Sequence, residues 1–76
     1  MHDAIVIMKA GTKFCGPLWA WRPKDGWFEI IDDSGGHRIL LADVASAIQH
    51  GQRVTRFRIE DVDLLVQARA DGWVPP

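Results

Sequence analysis

Hydrophobic and polar positions change their rhythm partway along the chain. As far as residue 41, apolar residues come in short runs separated by turn-forming clusters, which predicts strands joined by hairpins. Ala4 to Met8 is a β-branched run closed by Ala10-Gly11-Thr12. Lys13 to Trp21 is a second strand, in which Gly16-Pro17 should interrupt the ladder because proline has no amide hydrogen to donate; a bulge or an edge position is expected there. Arg22 to Gly26 is a turn, with Pro23 presetting its first corner, and Trp27 to Ile31 is a third strand. Asp32 to Gly36 supplies a second turn, and His37 to Leu41 closes a four-strand meander.

Beyond residue 41 the spacing turns helical. Asp43 is placed to cap a short helix carrying Val44, Ala47 and Ile48 on one side, with Gly51 as its stop. Arg53 to Ile59 alternates as a strand, with Val54, Arg56 and Arg58 on one side and Thr55, Phe57 and Ile59 on the other. From about Glu60 the pattern is helical again. Glu60, Asp61 and Asp63 fall in the first turn, where the helix dipole favours negative charge, and Gly72 supplies a left-handed cap that folds Trp73 back on Ala68.

This order resembles the layout of SH3-like small barrels: four meandering strands, a short helical piece and a fifth strand. The likeness is one of layout, since the first loop, Ala10 to Thr12, is too short for the long loop of a peptide-binding SH3 domain. The expected fold is therefore α+β, a strongly curled antiparallel sheet or small SH3-like barrel with a C-terminal helix, built as a single domain over residues 1–76.

Composition narrows the function more by exclusion than by indication. Hydrophobic residues make up 47% of the chain and four of them are tryptophan, enough for a small core without staples. Cys15 is the only cysteine, so no intrachain disulfide forms and a zinc site of four cysteines is excluded; a cytoplasmic location is expected. Met1-His2-Asp3 is not the basic start of a signal peptide, and the apolar stretch that follows is too short to cross a bilayer. Nine basic and ten acidic residues give a formal charge of -1, so there is no overall field to attract nucleic acid.

Candidate chemistry is sparse. Cys15 sits in an apolar strand and reads as a small buried side chain, and the three histidines lack metal-ligand spacing. His50, at a helix end, is explained by the dipole. Asp32 to Gly36 lacks the alternating acidic positions of a calcium loop and reads as a hairpin turn. No enzyme, metal or cofactor is expected. The tryptophans say more. Trp19 and Trp21 are two apart and would share a face of a regular strand, with Trp27 as the cross-strand neighbour of Trp21. With Arg22 they would form an aromatic and arginine patch of the kind that anchors protein interfaces. Arg53, Arg56 and Arg58 are the only basic concentration, Arg56 and Arg58 projecting together from the strand, beside Glu60, Asp61 and Asp63.

The last helix carries an apolar arc wider than one sheet face needs, and Leu64 and Ala68 extend it into a candidate self-association surface, that of a possible homodimer. The expected function is thus a small non-enzymatic protein-interaction module with no membrane role. Its format would suit a phage- or mobile-element-encoded inhibitor of a larger bacterial machine. A nucleic-acid-binding small barrel, using tryptophan stacking and arginine contacts to phosphate, is the alternative.

Overall fold

A computed structural model describes residues 3–54, 56 and 59–76, with the backbone alone for residues 52–54 and 59. Among the described residues, six antiparallel strands form one sheet: β1 (Asp3–Met8), β2 (Lys13–Arg22), β3 (Trp27–Asp32), β4 (Gly35–Leu40), β5 (Val44–Val54) and β6 (Ile59–Asp63). The spatial order is β4-β3-β2-β1-β5-β6, so the meander runs outward from β1 on one side and the β5–β6 hairpin on the other. One short helix, α1 (Leu64–Ala70), follows β6 directly. The architecture is α+β. The sheet is neither closed nor strongly curled, and β4 and β6 are its two edges, so the barrel expected from the layout is not what forms.

The four strands of the meander lie where the apolar runs predicted them. The region after residue 41 differs. Leu41–Asp43 is a 3-10 turn, and the segment from Val44 onward is not a helix but a strand pairing with β1, Ala47 opposite Val6 and Ile48 opposite Ile5. Strand β1 carries two apolar faces in need of neighbours, and the β-branched ends of this segment supply them; pairing overrides its helical spacing. The expected strand from Arg53 to Ile59 is divided between the end of β5 and the start of β6, while Thr55, Phe57 and Arg58 lie outside the described residues. Glu60, Asp61 and Asp63 belong to β6 and not to a first helical turn.

Strand alternation sorts the side chains between two faces. Ala4, Val6, Phe28, Ile30, Ile39, Leu41, Val44, Ala47 and Val62 are buried on the inner face, and Leu64 and Ala68 of α1 close over them. A seven-residue helix does not hold itself together in water, so α1 depends on its ends and its buried stripe. Asp63 caps its start, accepting from the amides of Leu65 and Val66 at 3.0 and 3.2 Å. At its other end the Trp73 amide donates to the Ala68 carbonyl at 2.8 Å and the Gly72 amide to that of Arg69 at 3.2 Å, a Schellman closure with Gly72 at φ 107°. Trp73 then packs against the core, as its place behind the glycine predicted.

The second strand joins two pairings. Its first half, Lys13 to Pro17, pairs with β1, and its second half, Leu18 to Arg22, pairs with β3. The exchange of partner falls between Pro17 and Leu18, where the β1 ladder ends, so the missing proline amide costs little ladder. Gly16 is buried there, and a Cβ on it would stand 2.0 Å from the Ile31 carbonyl oxygen. The bulge itself lies just beyond, between Leu18 and Ala20.

Two stability measurements check this account. Gly16→Ala forces β3 away from β2 and should cost about 1–3 kcal/mol or more by urea unfolding, the usual range for overpacking. Leu64→Ala should cost about 2–5 kcal/mol, as expected for a buried leucine that leaves a cavity.

Candidate functional site

The outer face of the sheet carries the residues the core does not use. Because Phe28, Ile30 and Ile39 point inward, Trp27, Glu29, Arg38 and Leu40 point outward from the β3–β4 hairpin. Register sets them in rows. Arg22, Trp27 and Leu40 are directly opposite one another across β2, β3 and β4, and Ala20, Glu29 and Arg38 form the next row.

Arg38 ties the rows together. Its guanidinium carbon lies 3.8 Å from the centre of the Trp27 ring, and its Nη2 is 3.2 Å from Glu29 Oε1. Glu29 therefore orients the guanidinium while the ring supports its flat face. Each contact is worth about 1 kcal/mol or less at an exposed site. Their joint effect is to hold a cation and an indole in one geometry beside Leu40, which is 51% exposed.

The sequence-predicted patch is only partly brought together. Trp19 and Trp21 do not share a face, because the bulge between Leu18 and Ala20 breaks the alternation. Trp19 is left 67% exposed. Trp21 turns inward: its ring centre is 5.7 Å from that of Phe28, and its Nε1 donates to Asp71 Oδ2 at 2.7 Å. Its opposite neighbour is Phe28 and not Trp27, so the expected Trp21–Trp27 pair is absent and Trp21 serves the junction between β2 and α1. Arg22 and Trp27 remain on the outer patch. Arg56 is exposed, and Arg58 lies outside the described residues. Leu64 and Ala68, expected on a self-association surface, are 2% and 0% exposed in the chain's own core. The wide apolar arc is explained inside the chain: the helix is short and sinks one stripe fully, leaving Val66 on the far side.

Sequence reasoning missed Glu29, Arg38 and Leu40. The signal was present, since pairing Trp27–Ile31 with His37–Leu41 through the Asp32–Gly36 turn places Leu40 and Arg38 beside Trp27.

Two expectations about reactive groups also change. Cys15 is exposed, because on β2 it is opposite Ile5 on the outer face. His50 lies in β5, where its Nδ1 is 3.1 Å from Asp61 Oδ2, so the explanation through a helix dipole does not apply. The Gly51 amide and His50 together hold the Asp61 carboxyl below its ordinary range.

At the β3–β4 turn, Asp32, Ser34 and His37 converge. Asp32 Oδ1 accepts from the Ser34 amide at 2.8 Å and the Ser34 hydroxyl at 2.7 Å, and lies 2.9 Å from His37 Nε2. Ser34 Oγ is 3.1 Å from that same nitrogen. A proton relay needs the acid and the hydroxyl on opposite nitrogens of the ring, so this arrangement is a turn lock and not a nucleophile. Among the described residues no group of three His, Cys, Asp or Glu side chains could hold a metal ion, and no helix is long and apolar enough to cross a membrane.

These features define an open antiparallel sheet with one face packed under a short helix and an ordered cation–indole patch on the other. The chain matches no protein-family model, no curated protein and no solved structure.

The turn lock makes a pH prediction. The Ser34 hydroxyl, then His37, then the Ser34 amide lower the Asp32 carboxyl from 3.8 to about 2. A carboxyl depressed on folding adds stability that is complete above its unfolded value and lost as pH falls through the folded one. Asp32→Asn keeps an acceptor for the Ser34 amide and removes the charge. Its melting temperature should therefore decline less steeply than that of the parent chain between about pH 4 and 2.

Proposed function

We propose that this domain is a non-enzymatic protein-binding module whose docking surface is the outer patch of Arg22, Trp27, Arg38 and Leu40. One observation carries the reading: an indole and a guanidinium held in fixed relation on a solvent-facing sheet, beside an exposed leucine that the core does not need. Tryptophan and arginine are the residues most enriched among interface anchors, and order before binding reduces the entropy lost on docking. The free exposed thiol of Cys15 suits a partner met in a reducing compartment.

The test compares partners retained from a lysate of the cells that carry the gene. Trp27→Ala removes a half-exposed ring without opening the core. Binding of the retained partner should weaken by about 2 kcal/mol or more, roughly 30-fold in Kd, with the melting temperature little changed. Equal retention by folded Trp27→Ala and Arg38→Ala variants would refute the reading.

With a formal charge of -1, the module should bind DNA or RNA no more tightly than the nonspecific range of about 10⁻⁴–10⁻⁶ M at physiological salt. A sub-micromolar complex that weakens steeply with salt and on Arg56→Ala would favour nucleic acid instead.

A further inference from the structure

A cavity of about 460 Å³ opens beside β4, within the range of roughly 300–1,000 Å³ that ligand clefts occupy. On one side it touches Arg38, Ile39 and Leu40. Consecutive strand residues point to alternate faces, so a cavity that meets all three lies along the edge of the strand and not on a face. The inner edge of β4 is paired with β3 from Gly35 to Leu40. The cavity therefore runs along the outer edge, where β4 has no sheet neighbour among the described residues.

The opposite wall is the β1–β2 hairpin, contributing Met8, Ala10 and Phe14. Met8 and Phe14 pack against the core from this side, so the floor is apolar. Lys9 and Asp43 stand at the wall joined by their backbones, the Lys9 amide donating to the Asp43 carbonyl at 2.8 Å. Neither side chain takes part in an ion pair among the described residues. The groove thus offers an unpaired strand edge, an apolar floor, one free ammonium and one free carboxylate.

We propose that this groove receives an extended peptide segment of a partner protein, added as a further strand along β4 with one large apolar side chain on the floor formed by Met8, Phe14 and Ile39. Main-chain hydrogen bonds to the edge supply affinity, and the pocket under an alternate side chain supplies selectivity. An added strand would lie roughly 4.8 Å from β4. The occupant also fits the two unpaired charges, with an acidic residue near Lys9 and a basic one near Asp43. The groove adjoins the Trp27 patch through Arg38 and Leu40, so the inference rests on the reading of the domain as a protein-binding module while naming a different contact.

A random peptide display library panned on the immobilised full chain provides the probe, and enriched peptides are then synthesised. They should share one large apolar residue, and hydrogen exchange of the outward amides of Gly35–Leu40 should slow when they bind. Ala10→Trp fills the groove from an exposed turn position and should weaken binding by about tenfold or more. Should Ala10→Trp fail to fold, the exchange pattern of the parent chain decides alone. Peptides that bind without slowing exchange in β4, peptides that tolerate a folded Ala10→Trp, or no enrichment at all would overturn the proposal. So would a dimer by sedimentation that Ala10→Trp converts to monomer, since the groove would then hold a second copy. The two readings fail separately: cellular partners indifferent to Trp27→Ala, beside peptides sensitive to Ala10→Trp, would remove the patch and keep the groove.

Discussion

The close approach of Gly16 to the Ile31 carbonyl is the contact on which the sheet turns. Strand β2 pairs with β1 over its first half and with β3 over its second, and beside the exchange point β3 lies close against it. A side chain at residue 16 would push an atom to 2.0 Å from that carbonyl. Pro17 follows, at the last pair of the β1 ladder, where a missing amide costs little. Small size and absent donor are usually read as breaks in a strand; here they mark where a ten-residue strand changes partner without ending.

That exchange sets what lies downstream. The bulge between Leu18 and Ala20 absorbs the mismatch in register and adds Trp19 as the extra residue, which is why one tryptophan is exposed while Trp21 is drawn inward. Inward placement would strand the indole nitrogen, and Asp71 at the end of α1 meets it at 2.7 Å. Asp71 also accepts from Gln67 at 3.1 Å, so one carboxylate fastens the helix to itself and to β2. The Lys24 stem lies over Gly72 from the turn that follows β2. A seven-residue helix thereby gains the tertiary ties that its length cannot replace.

The meander was legible because its turns carry strong local signals: Pro23 to Gly26 and Asp32 to Gly36 close hairpins by residue type alone. The C-terminal cap was legible for the same reason, with Gly72 and Trp73 in place. The failures share another cause. Asp43 to Gly51 has helical spacing, yet its fate depends on β1, some forty residues earlier, needing a second neighbour. Leu64 and Ala68 read as surplus because the arc was measured on a longer helix than forms; with β6 extending to Asp63, the same residues fit under one short element. Of the site, Trp27 and Arg22 were visible from composition. Arg38 and Leu40 required the register of two strands, and Trp19 and Trp21 required a bulge that two positions of ordinary strand sequence do not announce.

Strand β4 shows how so small a domain separates folding from recognition. Its inner edge is committed to β3, and Ile39 is committed to the core at 2% exposure. Arg38 and Leu40 face water, and among the described residues the outer edge pairs with no other strand. Alternation therefore isolates the outward residues from the packing energy: a change at residue 38 or 40 alters the patch while residue 39 holds the strand. An open edge is ordinarily a hazard, because it invites indiscriminate pairing between chains. Here the cavity beside β4 is also lined by Met8, Ala10 and Phe14 of the β1–β2 hairpin, so the open edge comes with an apolar floor that would favour one kind of side chain over others.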